Sequence, residues 1–255
     1  MSKTFKNKWV RLLAPVLVMW LILGILKLIP EKFNSTGDQI LWEVILFLGI
    51  LLLNLGWLHQ SIGLKTTVRF HQLLWINWYG IIRFLGVALA IYILVVRGRF
   101  DDSWNLFILA TFVGITEEFI FRGLVLPLAI KAFKGKYRLG FGVVVSSVLF
   151  GVAHIFNLSH QSLFTTLEQV LAATALGALF AVVYLRTGSL WFVIITHALQ
   201  DLQGFLSPNR LVQPSIPVID LLIFVTVLFV SAALMLRKSK VKTINFAQFG
   251  LSLTC

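Results

Sequence analysis

Residues 216–236 read IPVIDLLIFVTVLFVSAALML, and Arg237, Lys238, Lys240 and Lys242 follow at once. A helix of that length rises about 30 Å, the thickness of a bilayer's hydrocarbon core. Its one acid, Asp220, lies near the start, and the basic cluster after it marks a cytosolic flank. Working outward from this run, similar apolar stretches recur near 9–29, 40–58, 73–96, 104–131, 139–156, 164–185 and 189–206. The expected fold is an all-α polytopic transmembrane helix bundle of about eight spans. It forms a single integral-membrane domain over 1–255, with a catalytic-type core at about 104–206.

Composition agrees. Of the 255 residues 58% are hydrophobic and 13% charged, and mean hydropathy is +0.91. Soluble domains carry about 25% charged residues, so a soluble globule, a disordered chain and a collagen-like fibre are all excluded. The net charge of +12 does not point to nucleic acid here, because the basic residues sit in short loops and tails, where they orient helices. Of the 22 Lys and Arg, Arg83 and Arg122 fall within spans. With a cytosolic N-terminus, five (Lys27, Lys32, Arg97, Arg99 and Arg210) reach the far side and the other fifteen stay in the cytosol. Two basic tails require an even number of spans, which puts both termini in the cytosol of a multi-pass protein of the cell or plasma membrane. The first run is not read as a cleavable signal, since no small-residue site follows it and Lys27 leads into a turn at Pro30. Cys255, the single cysteine, excludes an internal disulfide and a CxxC site, and as the last residue it is no prenylation signal.

A charge at bilayer depth costs at least about 2.5–3.5 kcal/mol on insertion scales, so deep ionisable residues ask for a function. They concentrate in three runs: Thr116-Glu117-Glu118-Phe119-Ile120-Phe121-Arg122-Gly123, Phe150-Gly151-Val152-Ala153-His154, and Thr196-His197-Ala198-Leu199-Gln200-Asp201. Glu118 and Arg122 are one turn apart and pair on one helix face. Glu117 is turned about 100° from Glu118 and needs a different partner. His197 and Asp201 share a face, as do Phe150 and His154. Glu117 lies about 21 Å from the cytosolic end of its helix, deep enough for a shared cavity.

This set suits hydrolysis. Glu117 is placed to act as a general base toward water, with Arg122 holding Glu118 ionised. The histidines bind a metal, orient the water or donate to an oxyanion. Glu117, His154 and His197 also make a His2Glu donor set of the kind that holds catalytic zinc, although no HExxH is present. Bland readings stand beside these. Glu118–Arg122 serves as a structural pair, Phe150 as packing, and His59, His71 and His160 as solvated groups at helix ends. Glu43 and Asp220 lie near helix ends, and Glu168 reads as interfacial. Arg83 stays unassigned. The basic run Lys131–Arg138 reads either as a topology signal or as an attraction for anionic lipid headgroups.

The three runs resemble, in order, the EExxxR, FxxxH and HxxxN/D motifs of the CPBP family, the CAAX-protease and bacteriocin-processing (ABI) intramembrane proteases. The match is Glu117-Glu118 with Arg122, Phe150 with His154, and His197 with Asp201. The segment Leu185-Arg186-Thr187-Gly188-Ser189-Leu190-Trp191 also looks like the family, and the resemblance covers about 104–206. It implies an intramembrane endopeptidase acting on a membrane-embedded, membrane-associated or prenylated protein or peptide. Glu117 would activate the water, Glu118 and Arg122 would support it, and His154 and His197 would complete the site. His197 and Asp201 would meet the scissile carbonyl. The resemblance favours a metal-independent glutamate mechanism over bound zinc. Asp201 stands where the prenyl-protein proteases usually carry Asn, and a carboxylate cannot donate unless protonated. Two other readings compete: a proton- or ion-coupled transporter, and a non-catalytic membrane scaffold or immunity protein. The absence of internal symmetry argues against the transporter, and the presence of all three motifs argues against the scaffold.

Overall fold

The computed structural model describes residues 3–26, 28, 35–66, 68–97, 103–159, 161–206 and 217–251. The readings made at Lys27, Pro30, Lys32, Arg99, His160, Arg210 and Cys255 lie outside them. The described chain is all helical: α1 Lys3–Leu26, α2 Thr36–Leu53, α3 Phe70–Ile76, α4 Trp78–Val96, α5 Ser103–Glu118, α6 Leu126–Ala132, α7 Arg138–Ala153, α8 Leu163–Thr187, α9 Leu190–Phe205, α10 Val218–Met235 and α11 Lys238–Val241. π-helical turns extend α2 over Asn54–Leu58 and join α5 to α6 over Phe119–Val125, and a 3-10 turn, His154–Ser159, follows α7.

Six described helices are long and apolar enough to cross a membrane: Asn7–Leu26, Thr36–Leu58, Trp78–Val96, Arg138–Ser159, Leu163–Thr187 and Val218–Met235. Together they make an integral membrane protein. The runs expected at 104–131 and 189–206 are helical as well, but the first carries Glu117, Glu118 and Arg122 in its interior and α9 has only 16 residues. Their polarity is tolerated because neighbouring helices cover much of it. Every residue from Glu118 to Ile130 is buried.

Local chemistry moves several boundaries. The second helix starts at Thr36 rather than 40, because Ser35 and Asp38 form a capping box: Ser35 N donates to Asp38 Oδ2 at 2.9 Å and Asp38 N to Ser35 Oγ at 3.2 Å. The run expected as one helix over 73–96 breaks at Asn77, whose φ of −105° and ψ of 35° are not helical. Thr196 Oγ1 donates to the Asn77 side chain at 3.1 Å, which ties the break to α9. Gly188 ends α8 in the left-handed region, φ +75°, as glycine does at a helix stop.

α8 is the central post, with 67% of its apolar window buried. It packs closely on α7 through small residues. A Cβ at Gly177 would come 3.0 Å from Ser147 Cα, and one at Gly151 would come 2.6 Å from Val170 O. Close backbone approach of this kind is how helices associate in lipid, where hydrophobic attraction between them is lost. The loop after α2 is held by buried polar contacts: Asn54 Oδ1 accepts from Gln60 N at 2.8 Å, Tyr184 Oη from Gly63 N at 2.8 Å, and Leu64 O from Ser189 Oγ at 2.8 Å. Each satisfies a group that would otherwise be costly to bury.

Candidate active site

The site forms where α5 and α9 cross. Gly114, one turn before Glu118, allows this crossing. A Cβ there would fall 3.0 Å from Ile194 O and 3.2 Å from Ala198 N. Both are backbone atoms of α9 and cannot swing aside. Gly114→Val is therefore expected to push the helices apart, to cost about 1–3 kcal/mol in thermal unfolding, and to reduce any activity by more than the stability loss alone explains. α4 fixes the far side of α9. Arg83 Nη1 donates to Gln203 Oε1 at 2.9 Å, and its guanidinium lies 4.8 Å from the Tyr79 ring centre. Tyr79 Oη donates to Gln200 Oε1. Arg83 thus gains an assignment that the sequence had not supplied.

Glu118 is fully buried and its Oε1 accepts two hydrogen bonds, from Arg122 Nη1 at 2.9 Å and from His197 Nδ1 at 2.7 Å. The i, i+4 pair expected from spacing is formed. An ionised carboxylate only accepts, so Nδ1 of His197 carries a proton and Nε2 faces the other acids. Nε2 stands 3.7 Å from Glu117 Oε2 and 3.5 Å from Asp201 Oδ2. The separate partner that Glu117 needed is His197, while Asp201 shares the His197 face as i, i+4 spacing requires.

Arg122 is fully buried. Its Nε and Nη2 have no hydrogen-bond partner among the described residues, but the guanidinium lies 4.2 Å from the Phe150 ring centre and 5.3 Å from that of Phe180. Desolvated cation–π contacts of this kind contribute about 2 kcal/mol. Phe150 is more than wall packing. Its ring also meets Phe121 at 5.1 Å, His154 at 5.2 Å and His197 at 5.8 Å. His154 reaches the cluster through this ring, and its Nδ1 donates to Phe150 O at 2.9 Å, which leaves Nε2 as its free nitrogen.

Among the described residues, no three His, Cys, Asp or Glu side chains converge to hold a metal ion. The two Nδ1 atoms are taken by Glu118 and by Phe150 O. Each of these contacts leaves Nε2 of its histidine as the nitrogen turned toward the site.

Two acids differ from their sequence reading. Glu43 is not near a helix end: the capping box starts α2 a turn earlier and puts it inside the helix. Thr116 Oγ1 donates to its carbonyl at 3.4 Å, and the side chain stands within electrostatic reach of Glu117, His197 and Asp201. Its Oε2 is buried with no hydrogen-bond partner among the described residues. The signal that could have found it was the Ser-x-x-Asp pattern at Ser35. Glu168, expected at the interface, is buried, and its Oε1 is likewise unpartnered among the described residues. Glu117 keeps 27% of its side chain exposed, whereas Glu118 is fully buried, and Glu117 Oε2, the oxygen that faces His197, is buried with no hydrogen-bond partner among the described residues.

The segment that carries these residues is similar to known proteins. Residues 99–203 match the family model of Type II CAAX prenyl endopeptidases, Rce1-like. CAAX prenyl protease 2 of Saccharomyces cerevisiae (strain ATCC 204508 / S288c) is 40% identical over 76 residues, which is 26% of this chain and 24% of the yeast protein. The match thus spans about a quarter of that relative's length. No solved structure matches. Glu117, Glu118, Arg122, Phe150, His154, His197 and Asp201 all fall within the matched segment, so the part of the chain that carries the site is similar to the Rce1-like CAAX prenyl endopeptidases.

Proposed function

We propose that this protein is an intramembrane endopeptidase that hydrolyses a peptide bond of a membrane-associated, prenylated polypeptide with water activated by Glu117. The observation that carries the reading is the double engagement of His197. One ring nitrogen is fixed by a buried carboxylate and the other faces a second carboxylate whose side chain is only partly buried.

In this scheme a water between Glu117 and His197 gives a proton to the Glu117 carboxylate while its oxygen attacks the scissile carbonyl. The tetrahedral oxyanion receives a hydrogen bond from Nε2–H of His197, whose positive charge is balanced by Glu118 and Asp201. Collapse breaks the C–N bond, and Glu117 returns its proton to the leaving amine. Arg122 pairs with Glu118 and balances its charge in an apolar interior. His154, across the Phe150 ring, completes the polar wall.

The test is cleavage of matched farnesylated and unprenylated CAAX-type peptides by the protein in liposomes. Faster release from the farnesylated peptide is the expected result, and no cleavage of either overturns the reading. A companion measurement separates the two hydrolytic chemistries: rates are expected to stay within about twofold after exhaustive chelation, with sub-stoichiometric zinc in the purified protein. A rate that falls with chelation and returns with added zinc would overturn the glutamate scheme.

A further inference from the structure

A cavity of about 950 Å3 lies between α7 and α10, and none of the active-site residues lines it. α7 and α10 both pack along α8 and make little contact with one another, which leaves a furrow. Its side walls include Phe141, Val144, Val148 and Phe229, all exposed. These walls belong to two of the apolar spans, Arg138–Ser159 and Val218–Met235, so the furrow runs at hydrocarbon depth.

Its floor offers two hydroxyls, and both are already used within their own helices. Ser147 Oγ donates to Val143 O at 2.6 Å, and Thr174 Oγ1 donates to Val170 O at 2.7 Å. A peptide lying in this furrow would therefore bury backbone donors and acceptors without partners, whereas an acyl chain brings none. One end has the opposite character. Lys136 and Arg138 at the start of α7 line it together with Lys238 and Lys242 beside α11, and no described lining residue is acidic. The three lysines are exposed, and Lys136 Nζ lies 4.9 Å from the Tyr137 ring centre. A zwitterionic headgroup would leave this positive rim uncompensated.

We propose that the furrow seats an anionic phospholipid, with one acyl chain against the α7 and α10 walls and its phosphate among Lys136, Lys238 and Lys242. The two readings of the Lys131–Arg138 run then become one: the bases that mark the membrane boundary also hold a lipid at a built groove. A surface basic residue contributes about fivefold in affinity for an anionic membrane, and a groove that also holds the chain makes the effect depend on position.

The experiment uses the full chain, delipidated in a neutral detergent, with retained lipid counted by native mass spectrometry. Dioleoyl phosphatidylglycerol is expected to be retained at least tenfold over dioleoyl phosphatidylcholine. The triple variant Lys136→Gln, Lys238→Gln, Lys242→Gln removes that preference. Lys134→Gln with Lys240→Gln, bases of the same region that do not line the furrow, preserves it. Val144→Trp fills the furrow without changing charge and lowers retention of both lipids. Equal retention of the two lipids by the wild type overturns the proposal. So does an equal loss per charge in the triple and control variants, since that is general surface attraction. Displacement of the lipid by millimolar inorganic phosphate overturns it as well, because the chain would then contribute nothing. None of these readouts depends on protease activity.

Discussion

Glu117→Gln is expected to lower peptide hydrolysis by about 10²–10⁴-fold while leaving the fold in place. The amide is nearly the same size as the carboxylate but has no basic oxygen to take a proton from water. The exposure of Glu117 and its 3.7 Å separation from His197 Nε2 mean that the change removes no tight hydrogen bond. Thermal unfolding should stay within a degree or two of the wild type. Initial rates on a saturating peptide, measured alongside the unfolding midpoint, separate the two effects. Full activity in a stably folded Glu117→Gln variant removes the base assignment.

Arg122→Leu should do the reverse, damaging stability first and activity as a consequence. Arg122 and Glu118 are both fully buried. Removing one partner of a buried pair leaves the other charge uncompensated, at about 3–5 kcal/mol. The loss includes the cation–π contacts to Phe150 and Phe180. His197 would keep its hydrogen bond to Glu118 but lose the counter-charge that makes Glu118 a fixed acceptor. The expected outcome is a sharply lowered unfolding midpoint and poor yield. A partial return of stability is expected in Arg122→Leu with Glu118→Gln, where neither charge remains. If the single variant unfolds at the wild-type temperature, the pair is not the structural centre of the site.

Much of this was legible in the chain. Apolar run length gave the helices, and 3.6-residue periodicity placed Glu118 with Arg122 and His197 with Asp201. The meeting of Glu118 with His197 was not legible, because it depends on how closely α5 and α9 approach, and one glycine, Gly114, sets that. The π-helical turns over Phe119–Val125 were hidden for a similar reason: the same apolar residues suit an α-helix, and packing of the whole bundle decides between them. Phe150 reads as packing because an aromatic in an apolar span gives no sign of lying under a guanidinium. Glu43 is misplaced by an error of a single turn in where its helix begins. Local spacing carried what lies within one helix, and contacts between helices had to come from the fold.

The Glu118–Arg122 pair lies on one continuous helical stretch, and this bears on how the protein is built. A segment that carries its own counter-ion one turn away can enter lipid as a nearly neutral unit, before any neighbour has arrived. Glu117 has no such partner within its own helix, and it meets the His197–Asp201 pair of α9 only when separate segments dock. Such a division would let one segment hide its strongest charges early and leave the proposed reactive groups to be assembled later, so the proposed site is incomplete until both segments have docked.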